Sequence, residues 1–420
     1  MSETGTLGGQ DRRNMASGSP GEHKGGHELR EGVALLDGTW YATEPHADWA
    51  WMREHAPAYH DPGCDVWAFT RYEDVRWAST NPEIFSNHHN IRPKIDHAPM
   101  MISMDDPDHA KRRRLVSKGF TPRRVAANEP RIREICTDLI DRILERGECD
   151  FVWDVAAWLP LIVIGDMLGV REEDHEQLLR WSDLLLESTT GDLERLEEAT
   201  QAFVEYSAYQ SEVIAERRRC PADDLVSVLV EAEVDGNRLD DESVLWESLL
   251  ILIGGDETTR HVISGGMLEL LQRPDDLDWL REDPDRLPTA IEEMLRWVSP
   301  IKTMSRTVTR DVEVAGQRIP AGDEVLLTYP AANRDPAVFE APDSFDIRRE
   351  DNQHLAFGFG PHFCLGASLA RLELKVLFEE VLARLDDIEL TTPAEQLRRR
   401  PSSFVSGLEE LPIRFRRRAG

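Results

Sequence analysis

Residues 357–366 read FGFGPHFCLG, and they place Cys364 in a glycine-rich loop directly before a long amphipathic segment, Ala367 to Leu385. A thiolate at the start of a helix is favoured by the unpaired N–H groups there and by the positive end of the helix dipole. Such an environment lowers the pKa of a cysteine and makes its sulfur a soft anionic ligand. The glycines let the backbone pass close to a flat, bulky group. The stretch therefore predicts a metal-ligating thiolate, although the commonest fate of a single cysteine is burial as a free thiol.

The composition is that of a globular protein without a membrane anchor. The chain has 420 residues, of which 40% are hydrophobic, and this is ample for a core. Its length alone favours two domains, but no internal linker divides it, so one large domain is the alternative. No apolar run approaches the roughly 18 residues of a spanning helix, and the N-terminus has no secretory h-region. Five scattered cysteines without C-x-x-C spacing argue against disulfides and zinc and predict a reducing, cytoplasmic location.

The charge of the chain is strongly acidic. The 79 acidic and 49 basic residues give a formal net charge of -30, which argues against nucleic acid as a partner. Basic residues nevertheless cluster at 111–114 and at 123–124. On an acidic protein, such a cluster can dock an acidic partner, whereas any one of these charges is more often part of a solvated helix face.

The beginning of the chain differs in composition from the rest. Residues 1–30 are rich in glycine and polar side chains and contain almost nothing apolar, so we expect a disordered tail there. Met15 offers an alternative start of translation. A single domain is expected over residues 31–420.

The order of the predicted elements indicates a mainly α fold with small β-sheets, that is, an α+β protein. Between residues 107 and 272 the hydrophobic periodicity is helical almost throughout. A β-hairpin is expected at 59–70 and a strand at 308–314, before the helix that follows the cysteine loop. A final hairpin is expected at 405–415.

A second signal lies in the apolar helix predicted around residues 249–259, which read LLILIGGDETT. The two glycines break the helical pattern at a cost of about 1 kcal/mol each relative to alanine, and buried carboxylates cost more. Local inconsistency of this kind tends to mark a functional site. A threonine hydroxyl here can bond the carbonyl four residues earlier and open the helix. A solvent-facing polar patch is the plainer alternative, but apolar residues flank the segment on both sides.

Taken together, these segments resemble the cytochrome P450 family over residues 35–418. The motifs are the F-x-x-G-x-x-x-C-x-G loop from Phe357 to Gly366, the G-G-x-E-T segment, and an E-x-x-R pair upstream of the cysteine. The resemblance implies a triangular prism of about a dozen helices around a buried haem b. It also implies that the haem iron takes Cys364 as its axial ligand, with Phe357 and Gly366 beside the haem.

The resemblance implies a role for the residues of the second signal. Gly254 and Gly255 match the widened turn where dioxygen sits. Thr258 matches the alcohol and Glu257 the acid of a proton relay that supports dioxygen activation. Asp256 falls at a variable position and receives no role.

The E-x-x-R pair consists of Glu293 and Arg296. Alone, an acid and a base three residues apart usually form a weak surface pair. In the family, such a pair belongs to a buried network that holds the fold around the cysteine, and a further arginine completes it. Arg349 stands where this third partner is expected, with Arg348 as the alternative.

Four basic residues match family positions that bind the two haem propionates: His109, Arg113, Arg306 and His362. Burying two carboxylates requires basic donors, and His109 and Arg113 lie four residues apart on one helix face. Each of the four, taken alone, has a plainer alternative as an exposed or structural residue.

The chain is too short for a fused flavin module and resembles the bacterial members of the family that work with separate redox proteins. These take electrons from a ferredoxin, which an NAD(P)H-dependent reductase reduces. An acidic ferredoxin docks on the cysteine side, where Arg112 and Arg114 are expected to contribute. The family default is a monomer.

Finer features of residues 100–107, 249–261 and 403–409 resemble the actinobacterial steroid C26-monooxygenases. These oxidise the terminal methyl group of the cholesterol or cholest-4-en-3-one side chain in sterol catabolism. The loop at 88–104, rich in Met and Ile, is expected to line an apolar funnel. Two alternatives stay open: the same machinery acting on a terpene, macrolide or fatty acid, and a haem-thiolate sensor without turnover. The Glu257–Thr258 pair argues against the sensor, because binding alone needs no proton relay.

Overall fold

The computed structural model describes residues 23–95, 98–187, 193–234 and 236–418. Most of the predicted tail, including Met15, therefore lies outside the described residues. From residue 23 onwards the chain has tertiary contacts. Lys24 Nζ lies 2.9 Å from Asp323 Oδ1, and the His27 ring stacks on Tyr59 with 4.7 Å between the centroids.

Helices dominate the described chain, as the sequence predicts. In chain order they are α1 (Gly38–Ala42), α2 (His46–His55), α3 (Tyr72–Thr80), α4 (Asp108–Val116), α5 (Pro122–Ala127), α6 (Glu129–Leu144), α7 (Trp158–Met167), α8 (His175–Glu187), α9 (Leu193–Arg219), α10 (Leu225–Glu231), α11 (Asp241–Leu271), α12 (Pro274–Glu282), α13 (Leu287–Val298), α14 (Tyr329–Ala332) and α15 (Ala367–Arg384). None of these helices is long and apolar enough to cross a membrane.

The strands form small sheets beside the helices. In chain order they are β1 (Ala58–Asp61), β2 (Val66–Phe69), β3 (Phe85–Ser86), β4 (Glu148–Asp150), β5 (Glu233–Val234), β6 (Asn237–Arg238), β7 (Thr303–Val308), β8 (Val312–Val314), β9 (Gln317–Ile319), β10 (Glu324–Thr328), β11 (Leu385–Leu390) and β12 (Pro412–Arg417). One sheet has the order β1-β2-β10-β7-β3 and another the order β11-β12-β4, while β5 pairs with β6 and β8 with β9. The mainly α fold with small sheets is confirmed, and so is the hairpin of β1 and β2.

The strand prediction at 308–314 is wrong in its bounds, and the hairpin prediction at 405–415 is wrong. The strand expected at 308–314 is divided between β7, in the larger sheet, and β8, in a separate pair. Nearly every residue of β7 is buried, so its sequence lacks the alternation that marks a half-exposed strand. The hairpin expected at 405–415 does not form, because β12 pairs with β11 and β4. Local turn signals cannot reveal partners so far away in the sequence.

The long helix α11 lies at the centre of the fold. Its start is capped by Asp240, whose carboxylate accepts the Ser243 N–H over 2.8 Å, as expected of a good N-cap. It packs against α7, α8, α9 and α13, while α15 packs against α6 and α13. This arrangement places the middle of α11 across a cavity from the loop that precedes α15.

Candidate active site

A cavity of about 660 Å³ lies between the cysteine loop and the middle of α11. Most of the residues predicted from the sequence to form the site line it: His109, Arg113, Gly254, Gly255, Thr258, Arg306, Phe357, His362, Cys364 and Gly366. The fold thus brings together segments that lie far apart in the sequence. Glu257 and the E-x-x-R network do not line the cavity.

The backbone of the cysteine loop depends on its glycines. Gly358 and Gly360 adopt φ angles of 69° and 72°, a region in which glycine carries no steric cost. A Cβ atom at Gly360 would lie 2.4 Å from the carbonyl oxygen of Ser79. The Cys364 N–H donates to the Phe357 carbonyl over 2.9 Å and closes the loop. The position of the sulfur is therefore set by the backbone.

The expected low pKa of Cys364 is wrong for the loop by itself. Burial raises the pKa of the thiol and outweighs the opposing effects of the Gly366 N–H, of Arg113 and of other neighbours. The helix start alone thus does not make a thiolate. A metal ion deprotonates a coordinating thiol outright, so bound haem iron would supply the thiolate form of Cys364.

The two glycines of α11 face different surroundings. A Cβ at Gly254 would meet nothing within 4 Å, whereas a Cβ at Gly255 would lie 2.6 Å from Ile164 Cδ1 on α7. The Thr258 hydroxyl donates to the Gly254 carbonyl over 2.7 Å, the bond expected from the sequence. Gly254 therefore leaves space in the cavity, and Gly255 allows α7 to approach α11.

His109, Arg113, Arg306 and His362 form a group that we call the basic cluster, in which His109 and Arg306 are buried and the other two are half-buried. The rings of His109 and His362 stack with 4.0 Å between centroids, and Arg113 donates to the Phe363 carbonyl. Burial lowers the pKa of His109, Arg113 and Arg306, and burial beside other cations lowers that of His362 to about 2. His109 Nε2 is buried without a hydrogen-bond partner among the described residues. His109 Nδ1 lies 3.3 Å from Asp106 Oδ1, whose side chain is half-exposed. Among the described residues no carboxylate pairs with Arg113 or Arg306, so these two cations lack a compensating charge.

A second buried group lies on α11 behind the cavity, and we call it the carboxylate–arginine cluster. It comprises Asp183, Asp256, Glu257, Arg260 and Arg400. The fully buried Glu257 has Oε1 3.1 Å from Arg260 Nη1 and Oε2 3.2 Å from Arg400 Nη1. Arg260 also contacts Asp183 at 2.9 Å and Asp256 at 3.2 Å. Asp183 has a side chain that is 26% exposed, so the cluster reaches from the core to solvent.

Sequence reasoning missed most of the carboxylate–arginine cluster. It gave Asp256 no role, yet this side chain is fully buried against Arg260. The i,i+4 spacing of the two residues was the available signal. Asp183 and Arg400 come from α8 and from the segment after α15, and no local pattern connects them to α11.

The E-x-x-R network is assembled around Glu293. Arg296 Nη2 lies 2.7 Å from Glu293 Oε1, with both side chains fully buried, and Arg349 Nε lies 3.1 Å from Glu293 Oε2. Arg296 also donates to main-chain carbonyls of the segment after α14. Arg348, the alternative third partner, pairs instead with Asp276.

Residues 163–407 match the family model described as Cytochrome P450. The chain belongs to the cytochrome P450 family. It is 50% identical over 386 residues to a protein of Mycobacterium tuberculosis named "Steroid C26-monooxygenase", covering 91% of this chain and 97% of the relative. It is 40% identical over 359 residues to a "Methyl-branched lipid omega-hydroxylase" of Mycobacterium bovis, covering 83% of each chain.

Solved structures of other P450s share the fold. A P450 of Bacillus megaterium in complex with testosterone is 37% identical and superimposes with a TM-score of 0.80, covering 88% of this chain and 99% of that chain. One of Chondromyces apiculatus is 38% identical with a TM-score of 0.82, covering 90% and 96%. The expected P450 fold is confirmed.

As a P450, the protein is a haem-dependent monooxygenase that acts on an apolar substrate with electrons from redox proteins. This overturns the alternative of a sensor without turnover. The family holds its haem iron by a cysteine thiolate, and a cysteine lines the cavity here. The basic cluster also fits the group, because two propionates would supply the carboxylates that Arg113 and Arg306 lack. The residues present therefore fit a haem.

Proposed function

We propose that this P450 oxidises the terminal C26 methyl group of a sterol side chain, with cholesterol or cholest-4-en-3-one as substrate. The observation that carries the proposal is the 47% to 50% identity, over about nine tenths of the chain, to relatives named "Steroid C26-monooxygenase". The cavity wall is consistent with this substrate. Beyond the basic cluster and the cysteine loop it is mostly apolar, with Met100, Met101, Ile102, Leu249, Ile253, Phe404 and Val405 among the lining residues.

Within this proposal, Cys364 is the axial ligand of the haem iron, and the basic cluster binds the propionates. Bound haem supplies the activation of dioxygen for insertion of one oxygen atom into a C–H bond. Support for the ligand comes from the position of Cys364 on the cavity wall, in a loop that its N–H bond to Phe357 closes. Phe357 and Gly366 border the same space.

We assign the proton relay to Thr258 and Glu257, with different positions relative to the cavity. The Thr258 hydroxyl lies at the cavity wall, where it can hold a proton for the reacting oxygen. Glu257 is held behind the wall by Arg260 and Arg400. Its carboxylate therefore has to leave at least one of these arginines, or act through water, before a proton can pass to Thr258.

For electron transfer we propose a ferredoxin as partner, docking beside the cysteine loop. Phe363, next to Cys364, is 41% exposed and lies on that surface near α4. The contribution expected from Arg112 needs correction, because its guanidinium lies 3.3 Å from the buried Glu247 and its side chain is only 19% exposed. Arg114 and Lys111, also on α4, are exposed. The free cysteines fit the proposed cytoplasmic setting.

The test is an optical titration of the purified ferric protein with cholest-4-en-3-one, followed by product analysis with ferredoxin, ferredoxin reductase and NADH. A saturable low-to-high-spin shift and a C26 alcohol are expected. A shift with methyl-branched fatty acids instead would favour the function of the Mycobacterium bovis relative. Oxidation confined to the sterol rings would contradict the proposal.

A further inference from the structure

Glu247 is a buried carboxylate that the proposed reaction does not use. It lies on α11 two turns before Gly254, and its side chain is fully buried. An uncompensated carboxylate in such a place is costly. Burial raises the pKa of Glu247 to about 7, against the opposing effects of Arg112 and of the Met101 N–H.

The contacts of Glu247 join three parts of the fold. Its Oε1 accepts the main-chain N–H of Met101 over 2.9 Å and a hydrogen bond from Arg112 Nη1 of α4 over 3.3 Å. Its Oε2 has no hydrogen-bond partner among the described residues. The carboxylate thus ties the segment around Met101 to α11 and α4.

The segment that Glu247 holds is a wall of the cavity. Met100, Met101 and Ile102 all line the cavity, and Glu247 itself does not. At its other end the segment is held by Asn87 Nδ2, which donates to the Ile102 carbonyl over 3.0 Å. Methionine side chains adapt easily to different shapes, so the main-chain ties decide how closely this wall approaches the haem side of the cavity.

We propose that Glu247 is a positioning residue that fixes the Met100–Ile102 wall and thereby directs oxidation to the terminal carbon of the substrate chain. The inference rests on the proposed function. A terminal methyl has a stronger C–H bond than the tertiary carbon beside it, so a terminal product requires that the chain cannot shift along the wall. A displacement of about 1 Å at a reacting centre can cost about 100-fold in rate.

The first test needs no substrate. Hydrogen exchange, resolved to single amides in the haem-loaded protein, is compared between the wild type and Glu247→Leu. The Met101 amide is expected to exchange slowly in the wild type and about tenfold faster in the variant, because the amide loses its hydrogen-bond acceptor. Fast exchange in the wild type, or an unchanged rate in the variant, would show that Glu247 does not hold the Met101 main chain. If the variant loses its haem, the exchange rate of the Met101 amide in the wild type alone still shows whether this amide is held.

The second test follows the products from cholest-4-en-3-one. In Glu247→Leu we expect a severalfold weaker spin-shift titration and a rise in the C25 alcohol relative to the C26 alcohol. Glu247→Gln keeps an oxygen that can accept the Met101 N–H, so it should restore the wild-type product ratio. Arg112→Leu removes the ion pair and keeps the tie to Met101, so its ratio should also stay near that of the wild type.

Glu242→Gln is the matched control, because Glu242 is exposed in the first turn of the same helix. A merely structural role would lower the stability of Glu247→Leu but leave the product ratio unchanged, which would overturn the inference. The proposed function fails separately, if the wild type itself gives no terminal product. In that case the exchange rate of the Met101 amide still shows whether Glu247 holds this segment.

Discussion

The basic cluster and the carboxylate–arginine cluster both place arginines inside the fold, but only in the second do carboxylates contact those arginines. In the carboxylate–arginine cluster, each guanidinium contacts at least one carboxylate within 3.2 Å. In the basic cluster, Arg113 and Arg306 donate to main-chain carbonyls instead. The difference teaches how to recognise a ligand site: an uncompensated buried charge predicts a ligand of opposite charge, whereas a compensated one predicts a function internal to the protein.

The largest expected effect comes from removing the one carboxylate that Arg296 and Arg349 share, Glu293. Glu293→Gln leaves Arg296 and Arg349 buried without their carboxylate, so the free energy of unfolding should fall by about 3–5 kcal/mol. Urea unfolding monitored by circular dichroism measures this. The control is Glu282→Gln in the surface pair with Arg286, which should change stability by less than about 1 kcal/mol. Equal effects of the two variants would contradict the comparison.

The next effect tests whether the carboxylate–arginine cluster delivers protons. In Glu257→Gln, product formation should fall by about 100-fold, because general acid catalysis contributes at least this much, while the sterol spin shift persists. Thr258→Ala should divert NADH consumption from product to hydrogen peroxide. Asp256→Asn is the control, since it alters the same cluster without touching the proposed relay; an equal loss there would assign the effect to cluster integrity.

Removing a charge from the basic cluster should have opposite effects on the two forms of the protein. Arg306→Leu should weaken haem retention by about tenfold, the size of one lost charged hydrogen bond. The apoprotein should be as stable as the wild type or more so, because it loses an uncompensated charge. Haem transfer to apomyoglobin and urea unfolding of the apoprotein measure the two effects. Wild-type haem retention would show that Arg306 does not bind a propionate.

The smallest effect concerns the solvent end of the carboxylate–arginine cluster. Burial raises the pKa of Asp183 to about 7, above that of an aspartate in the unfolded chain, so the native state binds the extra proton. Its contribution to stability is complete in acid and is lost as the pH rises towards 7. Asp183→Asn should lack this loss, so the variant should gain thermal stability relative to the wild type between about pH 4 and 7.

The charged groups that contact or surround Asp183 define what this measurement reports. They are Arg260, Glu257, Asp256 and Arg400. Melting temperatures of the two proteins, taken across this pH range, give the difference. A difference that is independent of pH would show that Asp183 titrates like an exposed aspartate.

The residues of the cavity wall could be predicted from the sequence where they belong to continuous motifs. The loop 357–366 and the segment 249–259 each carry their signal within a few residues, and the fold needed only to bring them together. The family resemblance supplied the basic cluster in the same way. Alternation and periodicity also gave most helices, since these depend on local patterns.

What could not be predicted depends on distant partners and on burial. Arg400 and Asp183 belong to the site because they interact with Glu257. Glu247 belongs to it because it accepts the main-chain N–H of Met101. None of these pairs has a characteristic spacing. The predicted lowering of the Cys364 pKa was wrong for a related reason. The sequence indicates the helix start, which lowers the pKa, but not the burial, which raises it.

Gly254 and Gly255 of α11 differ in how well they should tolerate substitution. A methyl group at Gly254 would enter the cavity and meet no side chain of the protein, so Gly254→Ala would act on bound ligands and leave the helix packing unchanged. The same change at Gly255 would collide with Ile164 and push two helices apart. Variants at the first position should therefore fold and change what the cavity binds, whereas variants at the second should lose stability.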